Sequence, residues 1–293
     1  MHRARQKLLL EQLAKDFQVD VGEYRSPEKG MMLQTIDVAR HFMPLLDFGG
    51  YDLVIIRGDR FEMMPIANMA AVRNIPIAHL EGGDLSGAID NKIRYAISAL
   101  ADLHFPEDKE SYARLIKMGI DPDKISNFGS IGVEYALQSL RGYDKKKENH
   151  IVLLHHALDG EDPEIIKQCI IDHFGEKDLI VIKSNSDNGE PFGDKEFPPE
   201  DYLKLIASAR MLVGNSSSFL KEASIFGTPV VLVGDRQKNR HRTHNVKDSK
   251  LEYNELSNIM NMQWCQEYEP DYFYYKQNTS SNIANRIKEF LQV

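Results

Sequence analysis

Two short apolar runs in this chain break off in the same way. Leu53-Val-Ile-Ile-Arg-Gly-Asp-Arg60 turns at Asp59, and Ile75-Pro-Ile-Ala-His-Leu-Glu-Gly-Gly83 turns at Glu81, each with glycine at or beside the turn. Brief apolar runs bounded by turn residues fit strands buried on both faces, and helical spacing between them makes the two neighbours in a parallel sheet. In open α/β sheets, ligands sit just outside the carboxyl ends of the strands. Two carboxylates thus arrive at one edge of one sheet. Either acid alone reads equally well as an ordinary turn residue. The pair, with His79 beside the second, marks a candidate site.

The same alternation runs through the chain. Apolar spacing predicts helices over 4–15, 32–47, 61–73, 90–101, 107–118 and 131–140, with strands at 18–22, 52–57, 75–79, 103–105 and 125–128. The polar, charged segment 141–150 then interrupts the pattern as an interdomain linker. Beyond it, strands are expected at 151–154, 179–182, 211–213 and 229–233, and helices near 163–173, 200–209, 218–226 and 281–291. The fold class is therefore α/β, with two Rossmann-like domains, 1–144 and 149–293, facing a cleft.

Composition excludes more than it assigns. A formal net charge of −8 over 293 residues argues against a general nucleic-acid-binding surface, and no apolar run is long enough to span a bilayer. The amino terminus is basic and amphipathic, but Glu11, Asp16 and the helical spacing read as a first helix rather than a targeting segment. Cys169 and Cys265 have neither metal-ligand nor disulfide-framework spacing and fit a reducing cytoplasm. No histidine–carboxylate spacing suggests a metal.

The second half carries its own motif. In Gly214-Asn-Ser-Ser-Ser-Phe-Leu-Lys-Glu222, Ser216, Ser217 and Ser218 stand where a strand passes into a helix. Free backbone N–H groups and small hydroxyls there suit a pyrophosphate, although serine also simply caps helices. Glu222, one turn on, can accept hydrogen bonds from ribose hydroxyls or be an ordinary surface glutamate. Arg236 lies in a basic loop with Arg240 and Arg242 and can reinforce an anion site, or belong to a solvated loop. His155 ends the strand 151–154, facing the expected cleft, and reads equally as a proton-transfer group near neutrality or as a structural histidine. Asn185 and Asp187 end the next strand similarly. Asp90 opens a helix that also carries Arg94, as a cap or as a third acid.

These strings resemble the hydrolysing UDP-N-acetylglucosamine 2-epimerases, above all the branch that feeds sialic-acid-type sugars. The matching segments are Gly58-Asp-Arg-Phe-Glu62, His79-Leu-Glu-Gly-Gly-Asp-Leu-Ser-Gly87 with Asp90 and Arg94, Ser184-Asn-Ser-Asp-Asn-Gly189, and Gly214-Asn-Ser-Ser-Ser218 with Glu222. Gly227-Thr-Pro229, Arg236-Gln237 and Asn245-Val246 match as well. The resemblance implies a GT-B-like fold, no metal or other cofactor, and a UDP-sugar substrate. UDP would be eliminated across C1 and C2, and the glycal hydrated to N-acetylmannosamine or a related sugar. It makes Asp59, Glu81, Asp90 and His155 the catalytic candidates. Arg60, Arg94, Asn185, Asp187, Ser216, Ser217, Ser218, Glu222 and Arg236 become the substrate-binding candidates.

Three departures accompany it. The family's usual first strand and Gly-Thr-Arg type loop are missing from the start, Phe219 replaces a usual glycine, and the stretch from Asp187 to Tyr202 is short. A first domain without its first strand is expected to expose a sheet edge beside 18–22. That edge would favour a homo-oligomer, dimer or tetramer, through the helices near 4–15 and 32–47. Two rival functions stay open: a catalytically weak nucleotide-sugar binder with a regulatory or scaffold role, and a GT-B-like glycosyltransferase or nucleotide-sugar hydrolase.

Overall fold

The structure is a computed structural model that describes residues 2–87, 90–144, 146–158, 160–184 and 192–292. It divides into two compact units. The first comprises residues 6–134 and 274–293, and the second residues 135–273 with the first five residues.

The first unit begins with α1 (His2–Leu13) and α2 (Met31–Phe48). Three parallel strands follow in spatial order, β1 (Val54–Arg57), β2 (Ile77–Leu80) and β3 (Leu103–Phe105). Helices α3 (Met63–Val72) and α4 (Asp90–Leu100) make the crossovers, and α5 (Lys109–Lys117) and α6 (Ile131–Ser139) come after the sheet. All four residues of β2 are buried, as a strand covered on both faces requires. Ile56, Ala67, Ala70, Ile77 and Ile97 form the core on one side, and Leu9, Leu13, Leu80, Leu103 and Phe105 that on the other.

The second unit holds five parallel strands: β4 (Ile151–Leu154), β5 (Leu179–Val181), β6 (Met211–Gly214), β7 (Val230–Val233) and β8 (Val246–Ser249). Their spatial order is β5-β4-β6-β7-β8. Helices α7 (Glu164–Phe174), α8 (Pro199–Ser208), the single-turn α9 (Ser217–Leu220) and α10 (Tyr253–Trp264) connect or flank them. The strand order reverses between β4 and β6, because the chain leaves β4 on one side for β5 and returns on the other for β6. Such a switch point opens a crevice at the carboxyl ends of the two strands.

Several expectations need correction. Residues 18–28 form no strand; they run as extended chain tied by Tyr24 and Ser26 hydroxyls that both donate to Asp37 at 2.6 Å. Alternating polarity makes a strand only where a neighbour takes up its backbone groups. The strand expected at 125–128 amounts to one bridge between His104 and Ile125. The helix expected at 218–226 is split into α9 and a 3-10 turn at Ser224–Phe226. Two elements had no clear signal: β8 is polar at three of its four positions, and α10 carries mixed faces. The closing helix α11 (Thr279–Leu291), expected with the second domain, packs in the first unit. Its Ile283, Ala284 and Ile287 complete the core around Leu9 and Leu103, and Glu134 receives the Ser280 N–H at its start.

Candidate active site

In the first unit the two predicted acids stand at adjacent strand ends. Arg57 of β1 is in register with Leu80 of β2, so Glu81 leaves the sheet one residue beyond this matched pair and Asp59 two. Backbone bonds carry the ladder into the turns: Gly58 N–H donates to the Leu80 carbonyl at 2.9 Å, and Glu81 N–H to the Phe105 carbonyl at 3.0 Å. Glu81 itself has φ of +64°, a conformation that non-glycine residues seldom adopt. Such backbone persists where its surroundings enforce it, often at functional positions.

Each acid is braced by an arginine. Arg57 Nε donates to Glu81 Oε1 at 2.5 Å. Asp59 is paired with Arg94, which is buried and reaches from α4. Arg94 Nη1 also donates to the Asp84 carbonyl at 2.8 Å and to Asn91 Oδ1 at 3.0 Å. Arg94 therefore ties α4, the loop after β2 and the turn after β1 together. That loop passes so close to α5 that a Cβ on Gly83 would lie 2.3 Å from the Ser111 carbonyl oxygen, at φ of +76°. Glycine is required there.

His79 is structural in its contacts. It is wholly buried on β2, with Nε2 2.8 Å from the Gly58 carbonyl and Nδ1 3.0 Å from the Ser98 hydroxyl. A carbonyl only accepts, so Nε2 carries the proton and Nδ1 accepts from Ser98. Burial pushes the ring's pKa down to about 4, against the opposing pull of Gly58 and Glu81. A neutral His79 thus holds the turn from which Asp59 projects.

The remaining first-unit candidates divide. Arg60 is half exposed and paired with Glu62 at 2.7 Å. Asp90 is the first residue of α4. Two second-unit candidates, Asn185 and Asp187, lie outside the described residues.

In the second unit the candidates gather at the switch point. His155 follows β4 directly and Asn215 follows β6. Gly214 allows this approach: at φ of +134°, a Cβ there would come within 2.1 Å of the Leu154 carbonyl oxygen. Asn215 joins the two strand ends, its Oδ1 accepting the His156 N–H at 2.7 Å and its Nδ2 donating to the His156 carbonyl at 2.9 Å. Arg236 and Gln237 both donate to the Asn215 carbonyl, at 3.2 and 2.8 Å. Arg242 turns away to Asp248.

The serines are not equivalent. Ser216 caps α9 and its hydroxyl lies 2.8 Å from that of Ser218, which in turn bonds Tyr202. Both are buried, whereas Ser217 is partly exposed. Glu222 is buried, and Phe219 is fully buried. With α9 only one turn long, the helix dipole contributes less than expected. Backbone N–H groups and hydroxyls are what the turn offers an anion.

Glu161 was missed in the sequence reading. Its Oε2 lies 3.0 Å from His155 Nε2, and it borders a cavity of about 660 Å³ reaching Gly234, Lys238 and Arg242. Only its position six residues after His155, across a turn, pointed to it. Arg57 was equally unmarked, although it lies in the apolar run that leads to Asp59. Among the described residues, no cluster of three His, Cys, Asp or Glu side chains is disposed to hold a metal, and no helix is long and apolar enough to cross a membrane.

Known proteins align with this arrangement. The UDP-N-acetylglucosamine 2-epimerase family profile matches residues 1–288. A GDP/UDP-N,N'-diacetylbacillosamine 2-epimerase (hydrolyzing) of Campylobacter jejuni is 31% identical over 235 residues, 68% of this chain. The alignment spans 60% of that relative's length. Polysialic acid biosynthesis protein P7 of Escherichia coli is 30% identical over 283 residues, 83% of this chain and 71% of that one. In fold, the chain is similar to the Methanocaldococcus jannaschii UDP-GlcNAc 2-epimerase solved with UDP-GlcNAc and UDP. The TM-score is 0.77 at 16% identity, covering 97% of this chain and 88% of that one. The α/β, GT-B-like class expected from the sequence holds. With a family profile spanning nearly its whole length and the family's strings set at the carboxyl ends of its parallel strands, the chain belongs to the UDP-N-acetylglucosamine 2-epimerase family.

Proposed function

We propose that this chain is a hydrolysing 2-epimerase acting on a UDP-linked 2-acetamido sugar. The observation that carries the reading is the pair of arginine-braced carboxylates, Asp59 and Glu81, at adjacent strand ends. In the proposed reaction a carboxylate removes the proton at C2, and the C–H electrons become the C1–C2 double bond. The C1–O bond to the pyrophosphate breaks and UDP departs with those electrons. Water then adds its oxygen to C1 while a proton returns to C2 from the opposite face, giving N-acetylmannosamine or a related sugar. Acid and base groups on different sides of one ring are what this sequence needs. We assign that work to Asp59, Glu81, Asp90 and His155.

UDP is assigned to the second unit, at the switch point, with Ser216, Ser217, Ser218, Glu222 and Arg236 around it. Anion-binding N–H groups stabilise the pyrophosphate as it gathers charge on leaving. Arg60, Arg94, Asn185 and Asp187 complete the substrate set, Arg94 chiefly by holding Asp59. The Escherichia coli relative's name supports a place in sialic-acid-type sugar supply. Two unpaired cysteines fit a cytoplasmic protein.

Proton NMR of the protein with UDP-N-acetylglucosamine tests the reading. UDP together with N-acetylmannosamine is the expected outcome. UDP with unepimerised sugar would indicate a hydrolase, and bound but unchanged substrate a catalytically weak relative.

A further inference from the structure

We propose that Glu161 is a positioning residue for His155, holding its imidazole as the Nε2–H tautomer and leaving Nδ1 as the working atom. The proposal rests on the reading of His155 as a participant in the reaction.

His155 leaves β4 at the switch point and is wholly buried. Its Nε2 lies 3.0 Å from Glu161 Oε2, while Nδ1 has no hydrogen-bond partner among the described residues. The carboxylate is itself fixed. Glu161 Oε2 accepts the Leu158 N–H at 2.9 Å, and Glu161 N–H donates to the Leu158 carbonyl at 3.0 Å. This reciprocal clasp presents one oxygen to the ring. Burial alone would raise the Glu161 pKa. The hydrogen bonds from His155 and the Leu158 amide, with the charges of His155 and Arg236, outweigh burial and hold it below the ordinary value.

A second neighbour competes for Nε2. Asn215 Nδ2 lies 3.4 Å away, and its amide orientation is fixed by both His156 backbone groups. If Asn215 donated to Nε2, the proton would sit on Nδ1. An ionised carboxylate can only accept, however, and it is the nearer by 0.4 Å (3.4 against 3.0 Å). Glu161 therefore decides the tautomer.

A mere turn staple would not account for Nδ1. Leaving a polar atom buried without a partner costs about 1–3 kcal/mol, so a buried Nδ1 calls for a partner of its own, which the turn does not supply. With Nε2–H held by a carboxylate, Nδ1 presents a lone pair that accepts a proton or a hydrogen bond from substrate or water. Glu161 then stabilises the resulting imidazolium, as the buried acid does behind the histidine of a Ser-His-Asp triad.

Nitrogen-15 NMR of the full chain, labelled at histidine and assigned by comparison with His155→Gln, reads the tautomer without any turnover. Protonated Nε2 and bare Nδ1 are expected near neutral pH. In Glu161→Gln, UDP release is expected to fall about tenfold or more in kcat, with KM altered less than about threefold. In a His155→Gln background the same change should have no further effect. If Glu161→Gln does not fold, Glu161→Asp, which withdraws the charge by one methylene, should give the same pattern. A proton on Nδ1 in the unaltered chain, or an undiminished effect of Glu161→Gln without His155, would overturn the proposal. The expected tautomer in a chain that releases no UDP would instead overturn the proposed reaction and leave Glu161's hold on His155 standing.

Discussion

At the scale of single residues, charge pairing and burial make two separate demands. Asp59 and Glu81 each face an arginine, so neutralising either acid also removes the charge partner of a guanidinium that is partly or wholly buried. Asp59→Asn and Glu81→Gln should each lower turnover by about a hundredfold or more, the usual scale for a general acid or base. UDP affinity by calorimetry should change little, because the nucleotide is assigned to the other unit. Near-normal turnover in both variants would remove them from the mechanism. The buried histidines set a pH limit. Burial holds both His79 and His104 down to about 4, in the second case with help from the charge of His79. The unfolded chain, with ordinary histidines near 6.5, then binds more protons than the native one as pH falls from about 6.5 to 4. Stability is fully present above that window and is lost through it, by about 3–4 kcal/mol per histidine at most. The melting temperature should drop between pH 7 and 4.5 while both ring resonances stay at their neutral positions down to about pH 5. Rings that titrate near 6.5 in the native protein would refute this.

At the scale of elements, the turn after β6 is where backbone geometry and function meet. Gly214→Ala places a methyl against the Leu154 carbonyl at a backbone angle unfavourable to alanine. It should destabilise the protein by more than about 2 kcal/mol, seen as a lower midpoint in urea with an unchanged slope. Unaltered stability would mean that β4 and β6 part easily. Ser217 separates binding from packing more cleanly than its neighbours, since Ser216 and Ser218 are buried in a hydroxyl network with Tyr202. Ser217→Ala should weaken UDP by about 1.5–3 kcal/mol if its hydroxyl meets a phosphate oxygen, with little change in melting temperature. Equal affinity would move the pyrophosphate to backbone groups alone.

At the scale of the molecule, we propose a homo-oligomer, now with a narrower contact surface. Leu9 and Leu13 of α1, with Val38 and Leu46 of α2, are spent in the first unit's own core. What α2 leaves to solvent is a different set, Met32, Ile36, Met43 and Phe48, the last 88% exposed. A face of that kind suits a protein contact, and a stable one buries roughly 1,200–2,000 Å². Light scattering at micromolar concentration should report a mass above 33.5 kDa. Phe48→Glu should return it to the monomer. A monomer of full activity would leave the α2 face without that role.

What the sequence alone determined is what local pattern can encode. Apolar runs closed by glycine and an acid specified β1 and β2, and the positions of Asp59 and Glu81 with them, because a parallel strand packed among helices is mostly apolar and stops at a turn. Gly-Asn-Ser-Ser-Ser located the turn after β6 for the same reason. Tertiary structure decided whatever depends on partners far along the chain. β8 is mostly polar and exists because β7 offers it a ladder, whereas 18–22 alternates like a strand and forms none for want of a neighbour to bond. α11 joins the first unit because Leu9 and Leu103 supply its apolar seat. The switch point between β4 and β6 and the arginines on both acids likewise arise only when distant segments meet, while the carboxylate behind His155 is set by the fold of a local turn. No periodicity records which charged side chain will face another, since that depends on three-dimensional packing rather than on spacing along the chain.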